Sequence, residues 1–127
     1  MRHLRTDQCL QMASATEIEG FLKDFKQKLG FWGLFIRSDR DKNFKTMTAL
    51  EYSFNDVKKE LSGLEIVHYA KGPLKDTLYR DADMWVFGKL IQGQEVYIKI
   101  TMGQPGDKVL CISFHFSEET LIYPYKK

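Results

Sequence analysis

DMWVFGKLIQGQEVYIKITM (residues 83–102), GQPGD (103–107) and KVLCISFHF (108–116) form the stretch on which the fold turns. Three runs rich in aromatic and β-branched residues are separated by Gln92-Gly93 and by a five-residue Gly/Pro loop, the pattern of a three-stranded antiparallel meander. In the middle run Val96, Ile98, Ile100 and Met102 alternate with Glu95, Tyr97, Lys99 and Thr101. One face is therefore apolar and the other carries chemistry. A two-residue turn at Gln92-Gly93 sets Val86 opposite Lys99 and Gly88 opposite Tyr97, with Trp85 and Phe87 joining Ile98 and Ile100 on the buried side. The loop at 103–107 sets position 102 opposite 108 and hence Tyr97 opposite Ser113. In the last run this places Leu110, Ile112, Phe114 and Phe116 inside and Cys111, Ser113 and His115 on the polar face.

Upstream, residues 1–14 are polar and aperiodic and read as a flexible tail. Thr16-Glu17-Ile18-Glu19 has the form of a capping box, and Ile18, Phe21, Leu22, Phe25 and Leu29 follow at helical spacing until Gly30, which predicts a helix over 17–29. Phe31 to Arg37 reads as a buried strand and residues 38–43 as a charged loop. Ser53 can cap a second helix against Asp56, with Phe54, Val57, Leu61 and Leu64 as its apolar stripe and Gly63 at its end. Leu64 to Ala70 predicts a strand broken by Lys71-Gly72-Pro73, and 74–82 a loop. The expectation is a single α+β domain in which two helices pack on one face of an antiparallel sheet and leave the polar face open.

At 127 residues, with 43% hydrophobic and 28% charged residues, the chain has the size and composition of one globular domain. A formal charge of +2 is too weak to announce a nucleic-acid binder by itself. Cys9 and Cys111 have neither metal-ligand nor disulfide-framework spacing, which fits a reducing cytoplasm. No apolar run reaches the length of a membrane span, and no membrane partner is expected.

The chemistry-bearing residues are cationic, phenolic and imidazole groups: Lys71, Tyr97, Lys99 and His115 as candidate catalytic residues, with Lys75, Arg80 and Ser113 as candidate RNA contacts. Such a set needs neither metal nor other cofactor. Cleaving RNA through its 2′-hydroxyl requires a base for that hydroxyl, cations for the charge developing on phosphorus, and an acid for the leaving 5′-oxygen. Strand lysines and tyrosines also occur simply as a solvated face, and a lone strand histidine is often structural. No P-loop, dinucleotide fingerprint, HExxH, CxxC or nucleophile elbow occurs.

LEYSF (50–54), SGL (62–64), YAK (69–71), Met84-Trp85, GQEVYIKIT (93–101) and VLCISF (109–114) together resemble the motility quorum-sensing regulator (MqsR) toxins, bacterial mRNA interferases with a RelE-like fold. The resemblance covers roughly residues 31–116. It implies a compact RelE-like toxin domain spanning 1–127 and a sequence-selective endoribonuclease acting on mRNA. It also implies inhibition by an antitoxin from the same operon, itself expected to carry a helix-turn-helix domain. Lys71 and Tyr97 fall on the family's active-site lysine and tyrosine, and His115 falls where the family has a C-terminal lysine.

The sequence departs from that family at Val86, which stands where the family has a glutamine on the catalytic face and can neither donate nor accept a hydrogen bond. The N-terminal region and the tail after Phe116 are also longer here. Two other readings stand beside the nuclease: a non-catalytic RelE-like domain that binds RNA or protein, and an α+β domain whose polar face floors a small-molecule pocket.

Overall fold

The computed structural model describes residues 12–37, 41–76 and 82–126. Helix α1 (Ala15–Trp32) leads into strand β1 (Leu34–Ile36), followed by α2 (Asp41–Leu50), α3 (Phe54–Ser62) and a short 3-10 turn (Ile66–His68). Strands β2 (Tyr69–Asp76), β3 (Ala82–Ile91), β4 (Gln94–Thr101) and β5 (Val109–Phe116) complete the domain. The sheet has the order β1-β5-β4-β3-β2. Its last four strands form an antiparallel meander, while β1 joins the far edge of β5 in parallel. The class is α+β, but among the described residues three α-helices and a mixed sheet replace the expected two helices on a purely antiparallel one.

The β3–β4 hairpin has the expected register, with Val86 opposite Lys99, Gly88 opposite Tyr97 and Ile91 opposite Gln94. Gln92 and Gly93 both adopt positive φ, at 52° and 82°, the backbone twist that matches a two-residue turn to its flanking strands. Trp85, Phe87, Ile98 and Ile100 consequently share the buried face, where they meet Ile18, Leu22, Phe25 and Leu29 of α1 and Val57 and Leu61 of α3. Phe21 stacks on Trp85 with ring centroids 4.5 Å apart. Each fully buried side chain of this size contributes about 1.5–3 kcal/mol.

Ser14, not Thr16, caps α1: its side chain accepts from Glu17 N–H while the Glu17 carboxylate accepts from Ser14 N–H. The helix runs through Gly30 to Trp32, and this shortens the expected strand 31–37 to Leu34–Ile36. Residues 12–14 are tied to the domain, Met12 by a bridge to Gly72 and Ser14 as the helix cap. Ala13 is buried, its N–H donates to the Tyr69 hydroxyl at 2.9 Å, and its carbonyl accepts from the Tyr125 hydroxyl at 2.7 Å. The rest of the expected tail lies outside the described residues. The Ser53–Asp56 capping box and the buried Val57, Leu61 and Leu64 are as expected, whereas Phe54 is exposed. Residues 66–68 form a 3-10 turn, and β2 continues through Gly72-Pro73 with register shifts instead of ending there.

Helix α2 occupies 41–43, expected as loop, and residues beyond. It buries Asn43, Thr46 and Leu50, of which the first two are polar. Asn43 donates to the carbonyls of Arg37 (3.1 Å) and Ile112 (3.0 Å) and accepts from Phe114 N–H (2.9 Å), while the Thr46 hydroxyl accepts from Phe116 N–H (3.1 Å). The short β1 pairs only with residues 109–111, so these two side chains satisfy the β5 edge where β1 has ended.

A second polar anchor links α3 to β3. Lys89 Nζ lies 2.7 Å from Glu60 Oε1, and the Tyr52 hydroxyl donates to Glu60 Oε2. Burial alone would raise the Glu60 carboxyl, but the hydrogen bonds from Lys89 and Tyr52 outweigh it and hold the group below the usual carboxylate range. A depressed carboxyl stabilises the fold above its unfolded value, near 4.3, and that contribution disappears as pH falls through the folded value. Glu60→Gln should therefore cost about 1–2 kcal/mol at pH 7, less than a fully buried pair because 21% of the carboxylate side chain is exposed. Urea unfolding should show the deficit shrinking towards pH 3. An equal deficit at both pH values would deny the carboxylate this role.

Candidate functional site

The second face of the sheet holds the candidate residues in two rows across the strands. Lys71 of β2, Val86 of β3, Lys99 of β4 and Ser113 of β5 are successive cross-strand partners. One pleat along, Gly88, Tyr97 and His115 form the next row. Paired residues share a face, so Lys71, Tyr97, Lys99 and His115 lie on one side of the sheet.

The partner of Tyr97 is nevertheless His115 and not Ser113. A bulge between Lys99 and Ile100 makes Ile112 the extra residue of β5, so Cys111 pairs with Ile100 and Ser113 with Lys99. Cys111 accordingly moves from the polar face to the core, where burial pushes its thiol up to about 12. Tyr97 and His115 are stacked, with centroids 5.2 Å apart and planes within 11°. The His115 Nδ1 lies 3.0 Å from the Phe116 carbonyl. A carbonyl only accepts, so Nδ1 is the donor and the neutral ring keeps its lone pair on Nε2.

Exposure differs sharply along the rows. Lys71 is exposed, Tyr97 and Lys99 are half-buried, and His115 is 7% exposed. Ser113 is buried, and its hydroxyl has no hydrogen-bond partner among the described residues. Its expected role as an RNA contact therefore requires an opening of the face. Val86 is 0% exposed although it lies on this face, contrary to the expectation of an open surface there. Lys75 sits at the sheet margin, 2.9 Å from Asp83, its cross-strand partner. Arg80 lies outside the described residues. Among the described residues no group of three or more His, Cys, Asp or Glu is placed to hold a metal ion, and no helix is long and apolar enough to cross a membrane.

The C-terminal tail supplies a feature that the strand arithmetic missed. Tyr123 donates its hydroxyl to Glu95 Oε2 at 2.6 Å, and Leu121 N–H donates to Glu95 Oε1 at 3.3 Å. Burial and the Glu95 carboxylate both push the phenol upward, so Tyr123 stays protonated as the donor. The tail crosses the sheet at Gly88, where a Cβ would come within 2.2 Å of the Tyr123 hydroxyl oxygen and 2.6 Å of Leu121 Cδ1. A glycine inside an apolar strand, directly opposite Tyr97, is the sequence signal of such a close approach.

Comparison of the chain with protein-family models, with curated proteins and with solved structures finds no match.

Proposed function

We propose that the chain is a metal-independent endoribonuclease, an mRNA interferase toxin of the MqsR kind with a RelE-like fold. The observation that carries this reading is the stacked Tyr97–His115 pair with Lys99 and Lys71 in the adjoining row of the same face. His115 Nε2 takes the proton from the 2′-hydroxyl, whose oxygen attacks the adjacent phosphorus. The bond to the 5′-oxygen breaks as Tyr97 protonates that oxygen, leaving a 2′,3′-cyclic phosphate and a 5′-hydroxyl. Lys71 and Lys99 stabilise the charge on the non-bridging oxygens. The expected partners are mRNA as substrate and a cognate antitoxin with a helix-turn-helix domain, and the site of action is the cytoplasm.

The 7% exposure of His115 favours a second reading, a non-catalytic RelE-like domain that binds RNA or protein. Labelled RNA incubated with the protein and EDTA separates the two. Cleavage at a small set of sites, giving cyclic-phosphate ends, is the expected result. Binding with no cleavage, together with normal growth when the chain is produced without an antitoxin, would establish the second reading instead.

A further inference from the structure

Beyond Phe87 the pairing of β2 with β3 ends, and an open pocket of about 300 Å³ lies beside the outer edge of β3 at Gly88. Val67 and Leu90 give it apolar walls, Tyr123 an aromatic one, and His68, Glu95 and Lys126 line it with polar groups. We propose that this pocket is the subsite for one nucleotide of the RNA, holding the base against Tyr123, Val67 and Leu90 with the phosphate at Lys126 and His68. The inference rests on the nuclease reading for the identity of the polymer, but the pocket's own chemistry specifies the ligand.

Three observations carry it. Position comes first: Gly88 is the cross-strand partner of Tyr97, so the pocket begins one strand spacing, about 5 Å, from the stacked Tyr97–His115 pair. A nucleotide held here neighbours a phosphate placed on that pair. Size and lining come second. The volume is at the lower end of ligand sites, suited to a single flat base rather than a longer ligand, and unstacked bases are held against aromatic and apolar side chains.

The third is the fixed polarity of the donors. Glu65 N–H donates to His68 Nδ1 at 2.9 Å, so the neutral ring presents Nε2–H as a donor. Burial and the nearby Lys89 ammonium lower the His68 value and maintain that neutral form. Lys126 Nζ lies 5.9 Å from the Tyr123 ring centroid, putting an ammonium beside the aromatic wall. Glu95 accepts from Tyr123 and Leu121, and each oxygen retains a lone pair for an amino group on a base. A flat apolar body with an anionic group at one end and a donor at its edge is a nucleoside monophosphate unit.

The test titrates the full chain with each of the four 5′-ribonucleoside monophosphates, read by calorimetry and by amide shifts in NMR. Ribose 5-phosphate and the free nucleosides are run as separate arms. Lys126→Glu and Leu90→Glu change exposed side chains and add negative charge at the pocket, and each should weaken mononucleotide binding roughly tenfold, the first by loss of a charge-assisted contact and the second by repelling the phosphate and removing an apolar wall. Lys45→Glu, on the exposed side of α2, should leave it unchanged. Shifts should centre on His68, Leu90 and Tyr123. Binding insensitive to both pocket variants, or ribose 5-phosphate binding as tightly as the mononucleotides, overturns the proposal, as does no binding at millimolar ligand. RNA cleavage without pocket binding would sink the subsite and leave the nuclease standing. Pocket binding without cleavage would do the reverse.

Discussion

Tyr97→Phe is expected to lower RNA cleavage by roughly 10²- to 10⁴-fold, the effect of losing a positioned proton donor. The substitution removes one oxygen and keeps the ring, so the stack on His115, with its 5.2 Å separation, is retained and the melting temperature should barely move. Lys71→Ala should produce a fall in cleavage of the same order with equally little effect on folding, because Lys71 is exposed. Single-turnover cleavage beside thermal unfolding reads both quantities. Cleavage at full rate in both variants would remove the catalytic assignment from this face, whatever activity the wild type shows.

The parts of this arrangement that were legible in the sequence are those governed by local rules. Gln92-Gly93 specifies a two-residue turn, and the turn then fixes every partner in β3 and β4, including Val86 with Lys99. The approach to β5 was not legible. A five-residue loop tolerates several registers, and the bulge at Ile112 inverts faces halfway along the strand, so simple alternation misplaces Cys111 and pairs Tyr97 with the wrong residue. The shared face of Tyr97, Lys99 and His115 survived that error because all three lie on one side of the bulge.

Helix α2 was hidden for a different reason. Amphipathic periodicity detects helices that bury an apolar stripe, and of the three residues α2 buries only Leu50 is apolar, while Asn43 and Thr46 turn towards β5 and bond to its main chain. The first three residues of the helix therefore read as charged loop. The C-terminal tail escaped in the same way: its anchors are a tyrosine hydroxyl on Glu95 and a notch at Gly88, contacts between distant residues that no local pattern encodes. Gly88 was the one visible sign.

Val86→Gln is expected to destabilise the protein by about 2–4 kcal/mol, lowering the melting temperature by roughly 5–20 °C. Read from the sequence alone, Val86 belongs to an open face where an amide would be harmless and would supply the hydrogen bond of the family's glutamine. The register supports half of that expectation, since Val86 does lie opposite Lys99 and between it and Lys71. Its 0% exposure overturns the other half. Face and exposure are separable: a short β-branched side chain in the middle of a row, between longer cross-strand neighbours, is buried without leaving its face. A glutamine there is larger and brings an amide that must find partners or pay a desolvation penalty, so it displaces Lys71 or Lys99 instead of joining them. Cleavage should consequently stay level or fall. Val86→Thr, close in shape, should cost less, and the difference between the two variants isolates the added volume. Thermal unfolding and cleavage-site mapping on both variants decide the matter. A glutamine variant that melts with the wild type and cuts at new sites would mean that this face opens at Val86, and that Val86 stands in the substrate's path.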